Sequence, residues 1–433
     1  MAQQNRHDLF VISTSAVNSS DELLPTPAAQ LRESRGEEDA LVRKMDWRLV
    51  PFLSYLYLFN FLDRANIANA RAVGFDGSLG QMERDLEMKP GQYNWALSAF
   101  FIGYILFEVP SNIALKIVSP RIWIARIMFS WGVCATCLAF VQNFAGLVAI
   151  RVLLGICEAG FFPGIMFYLS CWYTPKELTL RAGIFLAAAT VAGAFGGVLA
   201  YFLAQVNLGF ISSWRAIFLF EGIPSVFNCF LVLWFLPNFP QSASFLNEAE
   251  RILALSRLEK EGIRLDEPEF DKKQLMSAFK EPIVCISTFI YLGVVTSTYG
   301  FTFFLPSIIA KMGYSSLSAQ LFSSIPYVIA CTFVCILCYT SCRLQDRSAH
   351  LISLLSLQTV GFLVLAFYRD EKAQQYVLFF TLCVIATTVY ACVPISIAWM
   401  LNNTKGGTKS AASAAIMIGI GNLGGVLGPQ VCK

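Results

Sequence analysis

Charge is the first thing in short supply: Asp, Glu, Lys and Arg make up 14% of the 433 residues, against about 25% in soluble domains. Histidine is scarcer still, at His7 and His350 alone. No nucleophile and base pair, phosphate-cradling loop or metal-ligand cluster stands out, so enzyme catalysis, a metal site and a cofactor find no support in the sequence. The net charge of +3 is small, and the basic residues are sorted by loop rather than gathered into a stripe that tracks phosphates, which excludes a nucleic-acid binder. An apolar signal-peptide core is also missing from residues 1–46, which are polar and mixed in charge through Asp21, Glu22, Glu37, Glu38 and Asp39. That stretch reads as a disordered tail on the cytoplasmic side.

Apolar residues are what the chain has in abundance, at 56% of the total with 37 Phe, and they place it among all-α polytopic membrane proteins. The bilayer core takes roughly 17–25 apolar residues per helix. Eleven segments qualify: Trp47–Ala70, Tyr93–Leu115, Ile122–Val141, Ala145–Trp172, Ala182–Val206, Trp214–Leu236, Pro282–Ile309, Ala319–Cys342, Leu351–Tyr368, Tyr376–Leu401 and Ala411–Val431. The 13 cysteines lie almost entirely inside these stretches. Even the C-x-x-C pairs Cys134/Cys137 and Cys335/Cys338 lack ligand company, so the cysteines read as small apolar residues.

The longest polar interruption, residues 241–281, separates a bundle of six spans (47–240) from one of five (282–433). Within it Asn247 to Glu250 has the form of a capping box, and Ile252, Leu255 and Leu258 follow at helical spacing. An amphipathic helix on the membrane surface is expected there. Basic residues collect on one set of loops, among them Arg48, Arg121, Lys176, Arg181, Arg343 and Lys409, which puts the N-terminus and the central loop in the cytoplasm. Eleven spans then leave Cys432 and Lys433 outside. The chain is therefore read as truncated before a twelfth helix, with the glycine-rich face of Gly419–Gly428 lacking its partner.

Ionisable residues inside spans cost about 2.5–3.5 kcal/mol each on insertion scales and are functional candidates for that reason. Asp63 and Arg64 stand in the first span, Glu108 in the second, Arg151 and Glu158 in the fourth, and Glu221 in the sixth. Asn60, Asp63 and Asn66 share one helical face, while Arg64 points about 100° away. Asp63 and Arg64 are thus expected to serve different partners, one toward a cavity and one toward a neighbouring helix. Arg151 and Glu158 lie nearly two turns apart on one face, too far for a tight bond within the helix, so each is expected to find its partner elsewhere. An apolar medium favours a neutral carboxyl and a nearby guanidinium favours the anion, the balance a proton carrier requires. Glu108 and Glu221 read as structural or gating residues, and Asn422, among the late glycines, as a candidate amide donor to an anion.

A weak echo between Met88–Tyr104 and Met312–Tyr327 fits the two-repeat logic of secondary transporters. The stretches Leu62–Ala70, Gly103–Asn112, Arg151–Gly164, Phe220–Gly222, Phe235–Pro237 and Gly421–Gly425 resemble the anion:cation symporter family of the major facilitator superfamily. The likeness is greatest to its fungal allantoate and nicotinate permease branch. That resemblance implies two six-helix bundles working by alternating access. Arg64 is expected to hold a substrate anion, with Tyr104 facing the cavity, and Asp63 and Glu158 to carry coupling protons. Arg151 is expected to pair with such carboxylates. The segment Cys342–Arg347 matches the family's second-half signature only loosely. The implied partners are a small organic anion, protons and the bilayer, with the chain a monomer in the plasma membrane. A carrier of a cationic or zwitterionic solute, a nutrient sensor and an inactive truncated product are the alternatives left open.

Overall fold

The computed structural model describes residues 27–75, 79–205, 212–261, 281–344, 346–367, 375–404 and 407–431. It divides into two compact units, Met1–Lys44 and Met45–Lys433. In the first unit, helix runs from Pro27 to the end of the unit as the opening of α1 (Pro27–Ala72). Part of the tail expected to be disordered is therefore helical, because Ala, Leu, Arg and Glu of high helix propensity dominate it. The remainder of that tail lies outside the described residues.

In the second unit α1 is followed by α2 (Gln81–Asp85), α3 (Gln92–Val118), α4 (Pro120–Cys137), α5 (Phe144–Glu158), α6 (Phe161–Ser170), α7 (Pro175–Leu203) and α8 (Ser213–Phe235). The central-loop helix α9 (Glu248–Lys260) comes next. The second half holds α10 (Pro282–Lys311), α11 (Ser316–Leu344), α12 (Arg347–Phe367), α13 (Gln375–Asn403), α14 (Gly407–Gly421) and α15 (Gly424–Val431). The all-α class holds: every regular element among the described residues is helical.

By length and composition nine of these helical stretches are fit to cross a bilayer among the described residues, not eleven. The two expected spans that fall short do so for separate reasons. The first carries the Asn60, Asp63, Asn66 and Asn69 side chains with Arg64, which dilute its apolar content. In the last, the apolar stretch among the described residues is Ile416–Val431, with a break between α14 and α15 at Asn422–Leu423. Its small-residue face is not bare. Gly424 packs on Leu292 and Thr296 of α10, Gly428 on Thr296 and Gly300, and Gly425 on Phe101 of α3.

Polar contacts sort the loops into two sets. At one end Trp214 Nε1 donates to Asp85 at 2.8 Å, Arg215 to the Ala139 carbonyl at 2.8 Å and Gln375 to the Met312 carbonyl at 2.7 Å. At the other end Arg181 pairs with Asp46 at 2.6 Å, Arg257 pairs with Glu177, and Tyr168 donates to the Pro237 carbonyl at 2.8 Å. The capping box of α9 forms, with Asn247 Oδ1 accepting from the Glu250 amide at 2.7 Å and Glu250 Oε2 from the Asn247 amide at 2.8 Å. Its buried face, however, is Ala254, Arg257 and Leu258, while Ile252 is exposed.

The halves meet at the end that carries residues 79–91. Ser316 donates to the Ala72 carbonyl, Gln320 Nε2 to the Asn69 carbonyl at 3.2 Å, and Ser98 Oγ to the Val426 carbonyl at 2.9 Å. A side chain at Gly197 of α7 would overlap the Gln320 carbonyl and the Ser324 hydroxyl of α11, so the close approach there depends on glycine. Between the halves a buried cluster joins Phe61, Leu62, Ala189 and Ala192 to Val294, Phe301 and Tyr390.

Candidate functional site

Midway along α1 the chain offers neighbouring charges to opposite sides. Arg64 lines a cavity of about 90 Å³, enough for several waters or a small organic molecule. The wall is aromatic, with Tyr57, Phe61, Tyr104, Tyr291, Tyr299 and Tyr390 prominent. The Arg64 guanidinium forks onto Glu158, with Nε donating to Oε1 at 3.1 Å and Nη2 to the same oxygen. Nη1 donates to the Tyr299 hydroxyl at 2.5 Å. The cation also sits 5.0 Å from the Phe100 ring centroid and 5.3 Å from that of Tyr104, within the range where a ring face attracts a positive charge.

Glu158 ends α5, at the point where Ala159 and Gly160 break the fourth span before α6. It is fully buried, and its Oε2 has no hydrogen-bond partner. One turn earlier Gly155 lies so close to α3 that a Cβ would overlap the Phe100 carbonyl. That contact holds α5 against α3 and brings Glu158 within reach of α1. Arg151, on the same face, is fully buried as well. Its Nε donates to the Ala96 carbonyl at 3.3 Å, its guanidinium covers the Phe100 ring at 5.1 Å, and both terminal nitrogens have no hydrogen-bond partner. The expectation that Arg151 pairs with a carboxylate is therefore not met. Glu158, nearly two turns away, is occupied by Arg64.

Asp63 faces away from the cavity, as the helical spacing requires. Its Oδ2 accepts from Trp131 Nε1 of α4 at 2.7 Å and from Ser225 Oγ of α8 at 2.5 Å, and its Oδ1 accepts from Asn66 Nδ2 at 3.4 Å. Glu221 lies one turn before Ser225 on α8 and is buried. Tyr104 and Asn422 do line the cavity. Asn422 is not a free donor, since its Nδ2 donates to Glu108 Oε2 at 3.3 Å. Glu108 is thereby tied to the other half.

The structure thus brings Arg64, Tyr104 and Asn422 to the cavity wall, bonds Glu158 to Arg64 and Glu108 to Asn422 from outside that lining, and turns Asp63 and Glu221 to the far side of α1. Sequence reasoning missed Tyr299, Trp131 and Ser225. The signal for Tyr299 was the polar run Thr296–Tyr299 inside an apolar span, and for Ser225 its place one turn after Glu221. Trp131 left no mark, because a tryptophan in a membrane helix is ordinary.

The model of the Major Facilitator Superfamily matches residues 53–429. An MFS transporter, prlL, of Fungal sp. (strain NRRL 50135) is 36% identical over 89% of this chain and 78% of its own length. The major facilitator-type transporter hxnP of Emericella nidulans is 33% identical over 90% of this chain and 78% of its own. Among solved structures, the partially occluded inward-open xylose transporter XylE from E. coli aligns with a TM-score of 0.65 at 15% identity, covering 90% of this chain and 92% of that one. An inward-facing bacterial homologue of the human lysosomal transporter Spinster aligns with a TM-score of 0.67 at 16% identity, covering 88% and 80%.

Proposed function

This chain belongs to the Major Facilitator Superfamily and is a multi-pass membrane transporter, and within that membership we propose that it imports a small organic anion together with protons by alternating access. The carrying observation is the fork of Arg64 onto Glu158 at the cavity wall. A planar guanidinium grips any carboxylate in the same geometry, so a substrate carboxylate competes with Glu158 for Arg64. Once displaced, Glu158 is an anion in an apolar site without its cation, and the favourable outcome is to take up a proton. The buried charge then stays balanced: Arg64 with Glu158 before, Arg64 with substrate and a neutral Glu158 after. Tyr104 and Tyr299 orient the guanidinium, Asn422 adds an amide donor when it leaves Glu108, and Asp63 carries a further coupling proton. The permease-like motifs favour a carboxylate vitamin or a ureide as cargo.

On the charge-bias reading the closed end is the outer one, so the cavity stands open toward the cytoplasm. The chain on this reading works as a monomer in the plasma membrane with its N-terminus inside. One observation favours a rival, a carrier of cationic or zwitterionic solute: Arg64 is already paired, as a structural arginine would be. Uptake of a panel of labelled monocarboxylates, ureides and amines by a permease-deficient cell decides between them. Accumulation of an anion that collapses on adding a protonophore is expected. Accumulation confined to amines, or indifferent to the protonophore, overturns the proposal.

A further inference from the structure

Behind α1, away from the cavity, the first half closes over a second group of polar side chains. Asp63 has a complete set of donors in Trp131, Ser225 and Asn66. Glu221 has none: it is 2% exposed, and neither of its carboxyl oxygens meets a hydrogen-bond partner. The register of the two helices sets the acids side by side. Ser225 of α8 touches Asp63, and one turn back on α8 Glu221 is approached by Asn66, one turn forward on α1. Asn66 is 1% exposed, and its Oδ1 is also without a donor. Asp63 is the acid that faces Glu221, and among the described residues neither carboxyl forms an ion pair.

Two carboxylates in one dry pocket cannot both be ionised. Donors in hydrogen-bond geometry converge on Asp63 and stabilise its anion, whereas Glu221 has only the looser approach of Asn66. A neutral Glu221 has an O–H to donate, and the unused Asn66 Oδ1 is the acceptor beside it. We propose that Glu221 and Asp63 form a one-proton site walled off from the cavity, with the proton resident on Glu221 and Asn66 bridging the two acids. The proposal rests on the reading of Asp63 as a coupling group and adds the residue that stores the proton. Since it concerns proton occupancy, it is tested without substrate or uptake.

The experiment is infrared spectroscopy of the purified full chain in detergent, in H2O and D2O, comparing wild type with Glu221→Gln and Asp63→Asn. The wild-type minus Glu221→Gln difference is expected to hold the carbonyl stretch of a protonated carboxyl, moving down in D2O. The wild-type minus Asp63→Asn difference is expected to hold carboxylate bands instead. Carboxylate bands in the Glu221→Gln difference overturn the proposal. If that variant fails to fold, carboxyl-13C glutamate in a Glu108→Gln, Glu158→Gln background replaces it: the protonated band moves with labelled glutamate if the proton is on Glu221, and stays in place if it is on Asp63. Melting in equal NaCl and KCl supplies a further arm. Equal melting temperatures are expected, and stabilisation by sodium that Glu221→Gln abolishes would make the pocket a sodium site and overturn the assignment to a proton.

Discussion

The two faces of α1 hold neighbouring charges in different ways. Arg64 draws its partners from both halves of the molecule, Glu158 from α5 and Tyr299 from α10. Asp63 draws its own from the first half alone, Trp131 of α4 and Ser225 of α8. Relative movement of two rigid bundles leaves bonds inside one bundle intact and remakes those that cross between them. Arg64 is therefore held by a bond that such movement remakes, whereas Asp63 is carried along within its bundle.

Removing the Arg64 head breaks this comparison most severely. Arg64→Ala leaves Glu158 buried without its cation, a change that typically costs about 3–5 kcal/mol, and it removes the fork for the substrate. Binding is expected to fall by more than about tenfold, which is ~1.4 kcal/mol, in protein that still reaches the membrane. Arg64→Lys is expected to rescue poorly, because a point charge lacks the planar fork. Binding by the Ala variant within about threefold of wild type, set against the 1.4 kcal/mol per decade scale, shows that Arg64 does not hold the substrate.

Next in size is Glu158→Gln, which keeps the shape and removes the proton. Uphill accumulation is expected to vanish while exchange of labelled for unlabelled substrate continues. Since the lost partner is the one a substrate carboxylate replaces, added substrate is expected to raise the melting temperature of this variant more than that of wild type. Asp63→Asn gives the contrast. It weakens the acceptor for Trp131 and Ser225 at a cost of about 1–3 kcal/mol, and substrate is expected to return none of that loss. Equal recovery of the two variants on adding substrate removes the distinction between the faces of α1.

The helical class and the divergence of residues 63 and 64 were legible because both follow from spacing along one helix. So was the α9 cap, which is local. Partnerships across helices were not. Arg151 and Glu158 share a face, yet the first meets a carbonyl and a ring while the second meets Arg64. Which of them receives a counter-charge depends on how closely α3 and α5 approach at Gly155, and no periodicity carries that distance. Asn422 was recognisable as a polar group among glycines, but its bond to Glu108 joins residues on opposite halves.

The smallest expected effect sharpens the comparison by deleting one hydroxyl on each face. Tyr299→Phe keeps the ring beside Arg64 and removes the bond between Nη1 and the hydroxyl, and Ser225→Ala removes one donor to Asp63. Each deletes a hydrogen bond to a charged group, worth about 1.5–3 kcal/mol, so on stability alone the pair are similar. They differ in what the bond joins. Tyr299 belongs to the second half, and its loss is expected to weaken the tie between the bundles and to free one guanidinium nitrogen for the substrate. Substrate affinity is then expected to change several-fold, together with the rate at which a thiol reagent reaches a cysteine introduced beside the cavity. Ser225→Ala is expected to lower the melting temperature and leave affinity and labelling rate near wild type. The measurement is a set of binding isotherms and labelling rates on the two variants, taken beside their melting curves. Matching changes in affinity would place Asp63 and Arg64 in one coupled unit, because a bond confined to a moving bundle has no other route to the substrate.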